Sequence, residues 1–179
     1  MKLQTIIICT SIICAPNMLR GSTELFQALY KGDVAQARKL ISQSKNLATL
    51  RDGKGNTPLH AVLEAVGTDI ITEEQALSLI KELIPLKGIN VNAQNVAQQT
   101  ALMMAALFGL QSVITYLDTK THVDYTLKDS LGKTASAWAQ DIASRLQNPK
   151  EKRKFEQLAR FLKEKEETEG FTLIESNYK

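Results

Sequence analysis

The stretch Gly55-Asn56-Thr57-Pro58-Leu59-His60-Ala61 decides how this chain is read. Thr57 is a natural helix cap, and Pro58 falls at the first helical position, where its missing N–H costs nothing. Leu59, Val62 and Leu63 follow at helical spacing and give a buried face. Related stretches lie downstream: Gln98-Gln99-Thr100-Ala101-Leu102-Met103-Met104-Ala105-Ala106, then Gly132-Lys133-Thr134-Ala135-Ser136-Ala137-Trp138-Ala139. A weaker copy runs upstream from Thr23 to Asp33. The four threonines, at 23, 57, 100 and 134, are separated by 34, 43 and 34 residues. The chain is therefore a repeat, with extra residues in its middle step.

Each copy reads as two helices back to back. Gly32 and Gly109 stand where a first helix must end and reverse, as C-cap glycines do. A second apolar helix follows each reversal: Val34, Ala37, Leu40 and Ile41; Ala76, Leu79, Ile80, Leu83 and Ile84; Val113, Ile114 and Leu117. Such a pair is too small to bury its own apolar face and must stack on its neighbours. In the second unit the reversal position holds Val66, and an insertion is expected from about Gly67 to Gln75. Thr72-Glu73-Glu74-Gln75 within it matches a capping box, so the second helix there is expected to start at Thr72. Glu73 and Glu74 suit a first helical turn.

Asp52-x-x-Gly55-x-Thr57-Pro58-Leu59-His60 is similar to the ankyrin-repeat signature, whose period is about 33 residues. The resemblance runs from about Ser22 to Glu166, and Val91-Asn92-Ala93-Gln94-Asn95 resembles the turn that opens the next unit. It implies an all-α solenoid of about four helix-turn-helix units with short hairpin fingers. It also implies that His60 bonds backbone between units and that partners are proteins, bound on finger tips and on the exposed side of the inner helices. Carried onto this chain, the tips are Gly53, Lys54 and Asn56; Val96, Ala97 and Gln99; Ser130, Leu131 and Lys133. The inner-helix positions are Tyr30 and Lys31, Glu64 and Ala65, Leu107 and Phe108. Phe108 is the expected aromatic anchor, unless the insertion or the terminal cap covers it. The third unit departs from the pattern with Ala101 for proline and Met103 for histidine. The last has Ala137 at the histidine position and no reversing glycine. Weaker bonding between units is expected there.

After Asn148-Pro149, residues 150–167 read as a long charged capping helix with Phe155, Leu158, Phe161 and Leu162 on one face. Residues 168–179 read as a tail whose apolar run, 171–174, either packs on the cap or serves as a peptide motif.

Residues 1–21 stand apart from the repeat domain, 22–167. Lys2 followed by the uncharged run Leu3–Cys14 has the layout of a secretory signal, with possible cuts after Ala15 or near Gly21. That reading predicts a secreted or periplasmic protein; the alternative is a buried apolar segment in a cytoplasmic one. The run is short for a membrane span.

Both cysteines, Cys9 and Cys14, lie in that segment, so the remainder holds no disulfide or zinc–thiolate site. Hydrophobic residues make up 44% of the chain and charged ones 23%, an ordinary globular balance. Basic and acidic residues, 22 and 19, are spread along it and argue against a nucleic-acid partner. No cofactor or enzyme motif is found. His122 lacks a companion at metal-ligand spacing. Gly132-Lys133-Thr134 lacks the earlier P-loop glycine, Leu127 standing in its place. Asp52 and Asp129 are turn residues. Three functions follow in order of preference: a protein-binding module, a self-assembling structural protein, and an enzyme subunit. Oligomeric state is not legible.

Overall fold

The computed structural model describes residues 18–44 and 46–176, with the side chains of 23–44 and 46–169. The proposed signal, with Cys9 and Cys14, lies outside them, as do the side chains of 171–174. Among the described residues there are eight α-helices, one short 3-10 helix (Leu47–Thr49) and no strand. The helices are α1 (Met18–Lys31), α2 (Val34–Gln43), α3 (Pro58–Gly67), α4 (Glu73–Leu83), α5 (Ala101–Leu107), α6 (Gln111–Lys120), α7 (Ala135–Arg145) and α8 (Pro149–Ser176). None is long and apolar enough to cross a membrane.

Each unit pairs an inner helix with an outer one. The inner helices α1, α3, α5 and α7 pack in a row, the outer helices α2, α4 and α6 in a second row, and α8 lies along α7. One continuous apolar core runs between the rows. Leu25, Leu29, Leu59, Leu63 and Met103 fill it from the inner side, and Leu79, Ile80, Leu83, Ile114 and Leu117 from the outer. Burial of this kind contributes roughly 1.5–3 kcal/mol for each large apolar side chain, and it is available only once neighbours have stacked.

The expected caps are in place. The Thr57 hydroxyl accepts from the His60 amide, with Pro58 in the first turn. Thr72 and Gln75 form a reciprocal capping box, with Glu73 and Glu74 in the first turn of α4. Glu73 also reaches its neighbour: its Oε1 accepts from the Ser112 amide at 2.8 Å, at the start of α6, whose own cap Leu110 has no side-chain acceptor. Gly32 and Gly109 take φ of +74° and +66° at the reversals. In the second unit Asp69 does so instead, at +57°.

The extra residues of that unit are split between two places, not gathered between Gly67 and Gln75. From Thr57 to the next cap, Thr72, is 15 residues, where 10 separate Thr100 from Leu110. From Thr72 to Thr100 is 28, where 24 separate Leu110 from Thr134. Part of the added length goes into helix: α3 has 10 residues and α5 has 7.

Both ends differ from the sequence reading. Helix α1 starts at Met18, so Thr23 lies inside a helix and does not cap one, and a cut near Gly21 would fall within α1. Helix α8 continues through Gly170 to Ser176, so much of the expected tail is helical; its 28 residues reach about 42 Å. Its inward face is the expected one, with Leu158 and Leu162 each 1% exposed and Phe155 and Phe161 half-buried. Phe155 lies over Gly109, where a Cβ would come within 2.6 Å of the ring.

Candidate binding groove

The inner ends of the units carry three turns built on one plan. Each opens on a side chain that accepts from backbone ahead of it. Asp52 Oδ1 takes the Lys54 and Asn56 amides, Asn95 Oδ1 takes the Gln99 amide, and Asp129 Oδ1 takes the Leu131 and Lys133 amides, all at 2.8–3.0 Å. Each closes through a residue of positive φ: Gly55 at +73°, Gln98 at +58° and Gly132 at +73°. Successive turns are stitched by Val96 N–H to Lys54 C=O and Ser130 N–H to Ala97 C=O, both 3.0 Å. Gln98 is the only one of the three that bears a side chain in the left-handed region, at a cost of about 1 kcal/mol. Gln98→Gly is therefore expected to raise stability by about 0.5–1 kcal/mol, read as a higher urea midpoint at unchanged slope.

His60 ties the second unit to the third. Its Nδ1 accepts from the Thr57 backbone N–H at 3.3 Å, which only a deprotonated Nδ1 can do. Nε2 therefore carries the hydrogen and donates to the Gln99 carbonyl at 2.8 Å. Burial pushes the imidazole pKa down, the Gln99 carbonyl opposes this, and nearby Arg51 lowers it further. Met103 offers only its sulfur to the Thr100 amide, at 3.4 Å. In the third unit the link onward passes through Gln94 Nε2 to Lys128 C=O at 2.9 Å, and Asn92 Nδ2 to His122 C=O at 2.9 Å.

Tip residues Lys54, Val96 and Leu131 are exposed as expected, Val96 by 77% and Leu131 by 69%. The return legs are not. Asn56 is 2% exposed, so it does not stand out at the tip as expected and shows only an edge to the cleft described below. Its amide nitrogen donates to Asp52 Oδ2 (3.2 Å) and Glu64 Oε2 (3.0 Å), and its carbonyl accepts from Asn95 (2.9 Å). Gln99 is half-buried with its carbonyl committed to His60. Lys133 is half-buried too, bound to Asp141 at 2.7 Å and lying 4.2 Å from the centre of the Trp138 ring. On the inner helices Lys31 is exposed, whereas Ala65 is fully buried and is withdrawn from the contact surface.

Tyr30 joins the Asn56 network, donating to Asp52 Oδ2 at 2.5 Å, with Glu64 Oε2 at 3.2 Å. Burial and the Asp52 contact hold the phenol far above its usual range, so it remains a donor. Burial would raise the Asp52 carboxyl, but the Tyr30 hydroxyl and the amides of Asn56 and Lys54 overcome that and hold it low.

Between the first and second of these turns, those of the second and third units, these groups frame a cleft of about 490 Å³. Met104, Leu107 and Phe108 form its apolar part, Val96 and Ala97 one wall, and Lys54, Asn56, Glu64 and Asn95 the polar end. Of the expected contacts, Lys54, Glu64, Val96, Gln99, Leu107 and Phe108 thus come together, while Tyr30 stands behind them. Lys31, Leu131 and Lys133 lie outside the cleft. Met104 was missed, because helical spacing assigns it to the core, where it is 6% exposed. Phe108 is half-buried: a Cβ on Gly67 would stand 2.1 Å from its Cζ, so the end of α3 covers part of the ring. A second cleft, about 590 Å³, opens between the end of α6 and α8. Its polar groups hold α8 in place: Lys165 to Asp118 at 2.8 Å, Tyr125 hydroxyl to Asp118 at 2.7 Å, and Tyr125 N–H to Glu169 at 2.8 Å.

No family model matches the sequence. The solved structure of EF0377, an ankyrin repeat protein, superposes with a TM-score of 0.55 at 21% identity, covering 68% of this chain and 56% of that one. The chain has the ankyrin-repeat fold. Its sequence is also similar to neurogenic locus notch homolog protein 1, 29% identical to the human protein and 28% to that of Xenopus laevis over 119 residues. That match takes in 66% of this chain and spans only 4% of the length of those relatives. The 490 Å³ cleft is a notch between the inner helices α3 and α5 and the turns that precede them.

Proposed function

We propose that this chain is a protein-interaction module that takes its partner in the groove between the fingers of the second and third units. The observation that carries this is the apolar surface left uncovered there. Val96 is 77% exposed, and Leu107 and Phe108 face the same cleft. Stacked repeats make extended concave surfaces, and an uncovered apolar patch on such a surface marks a contact site. The ankyrin fold itself is typical of binding and not of catalysis. Export is proposed on the layout of residues 1–15 alone, and N-terminal sequencing that reads Met1 on the protein recovered from its source would end it.

The groove is tested by affinity capture with the wild-type chain and with Val96→Asp, quantified protein by protein. Val96 is a tip residue, so the substitution is expected to leave the melting temperature unchanged. A protein held by the wild type is expected to weaken by about 1–3 kcal/mol in the variant, as loss of an interface anchor does. The same proteins held equally well by both chains would remove the groove from the account.

A further inference from the structure

The partner's chemistry can be read from how the third unit departs from those beside it. Seven residues after the cap threonine stand Glu64 in the second unit, Leu107 in the third and Asp141 in the fourth. In the second and fourth units this carboxylate holds a lysine of its own finger: Glu64 holds Lys54, and Asp141 holds Lys133. The third unit lacks both halves of the pair. Leu107 replaces the acid, and the tip residues are Val96 and Ala97. An apolar slot therefore lies between two ion pairs.

The nearer of those pairs is asymmetric. The Lys54 side chain is 67% exposed and that of Glu64 only 22%, so the rim of the slot presents an ammonium with its own carboxylate recessed beneath it. The acceptors around it are already engaged, because Glu64 and Asp52 are hydrogen-bonded to Asn56 and Tyr30. Of the charged groups at that end, the Lys54 ammonium, itself bound to Glu64, stands outermost. We propose that the slot takes a polypeptide segment bearing one large apolar side chain, which enters over Leu107 and Val96, with a carboxylate beside it that reaches Lys54. The inference rests on reading the groove as the binding surface.

The test uses the full chain and a phage-displayed library of random dodecapeptides. Selected peptides are expected to share a large apolar residue with Asp or Glu close by, and to be released by Val96→Asp. The double exchange Lys54→Glu with Glu64→Lys keeps opposite charges at the two positions and inverts the rim, at the expense of the bonds that Glu64 accepts from Asn56 and Tyr30. It is expected to lower affinity for the acidic peptides by about five-fold, the size of one rim ion pair, and to select basic peptides in their place. Melting curves of each variant confirm that the fold is retained. Peptides released by Val96→Asp but indifferent to the exchange would overturn the carboxylate and leave the groove standing. Peptides indifferent to Val96→Asp, or none selected at all, would overturn both. A concentration-dependent dimer abolished by Val96→Asp would seat a second copy of the chain in the groove and also overturn the proposal.

Discussion

His60→Ala is expected to lower the stability of the chain by about 3 kcal/mol, the largest effect of any single polar substitution in the second unit. His60 is 1% exposed and makes bonds at both ring nitrogens. Alanine would strip the Gln99 carbonyl of its donor and the Thr57 amide of its acceptor, and would leave a cavity between two units. Removing a partner from a buried polar group costs about 1–3 kcal/mol on its own. Chemical denaturation checks the magnitude. A loss under 1 kcal/mol would mean that the finger bonds Val96–Lys54 and Asn95–Asn56 carry the joint unaided.

The same residue sets a pH dependence of definite sign. The imidazole is held neutral in the folded chain, with its pKa lowered by burial. Below about 6.5, the ordinary histidine value, the unfolded chain takes up a proton that the folded chain refuses. Stability therefore falls as pH drops below that point, and the loss ends only when the lowered folded value is reached. The upper part of this window lies above the range where carboxylates titrate. His60→Met, which installs the residue found at the matching position of the third unit, is expected to be less stable yet flat between pH 7.5 and 5.5. An equal slope in both chains would place the proton elsewhere.

The second large effect lies between units at Gly67 and Phe108. Gly67→Ala is expected to destabilise by about 1–3 kcal/mol, although alanine is the better helix former, because the new Cβ would stand 2.1 Å from Phe108 Cζ and within 2.5 Å of both Cε atoms. The ring must swing away and the notch changes shape. In a Phe108→Ala background the obstacle is gone, and Gly67→Ala is then expected to stabilise by up to about 0.5 kcal/mol, helix propensity alone remaining. The sign reversal is the diagnostic result. Additive effects of the two substitutions would separate the residues.

These two cases mark what could be read from sequence. The cap at Thr57, the box at Thr72 and the reversals at Gly32 and Gly109 depend on neighbours within a few residues, and all were legible. So was the direction of the His60 bond, through the resemblance to a family of repeats. Asn56 was misplaced on the surface because its partners are remote. It bonds Asp52 and Glu64 within its own unit but Asn95 of the next, 39 residues on, and shares Tyr30, 26 residues back. Phe108 is partly covered at Gly67, 41 positions earlier and at the edge of the insertion that the sequence offered as one of two covers, and no local pattern tells insertion from cap. The split insertion was opaque for another reason: added residues that lengthen α3 keep its helical spacing and leave no break to notice.

Helix α8 carries a consequence for the way the array comes apart. It belongs to the fourth unit through Glu166, whose Oε2 accepts from Ser136 at 2.5 Å and Thr134 at 3.1 Å. It belongs to the third through Phe155 over Gly109 and Lys165 on Asp118. One rod thus straps the third and fourth units together. Amide protons of α5 to α8 are therefore expected to exchange through a shared, sub-global opening, which native-state hydrogen exchange would read. The part of the array that α8 holds together includes the third unit with its apolar slot.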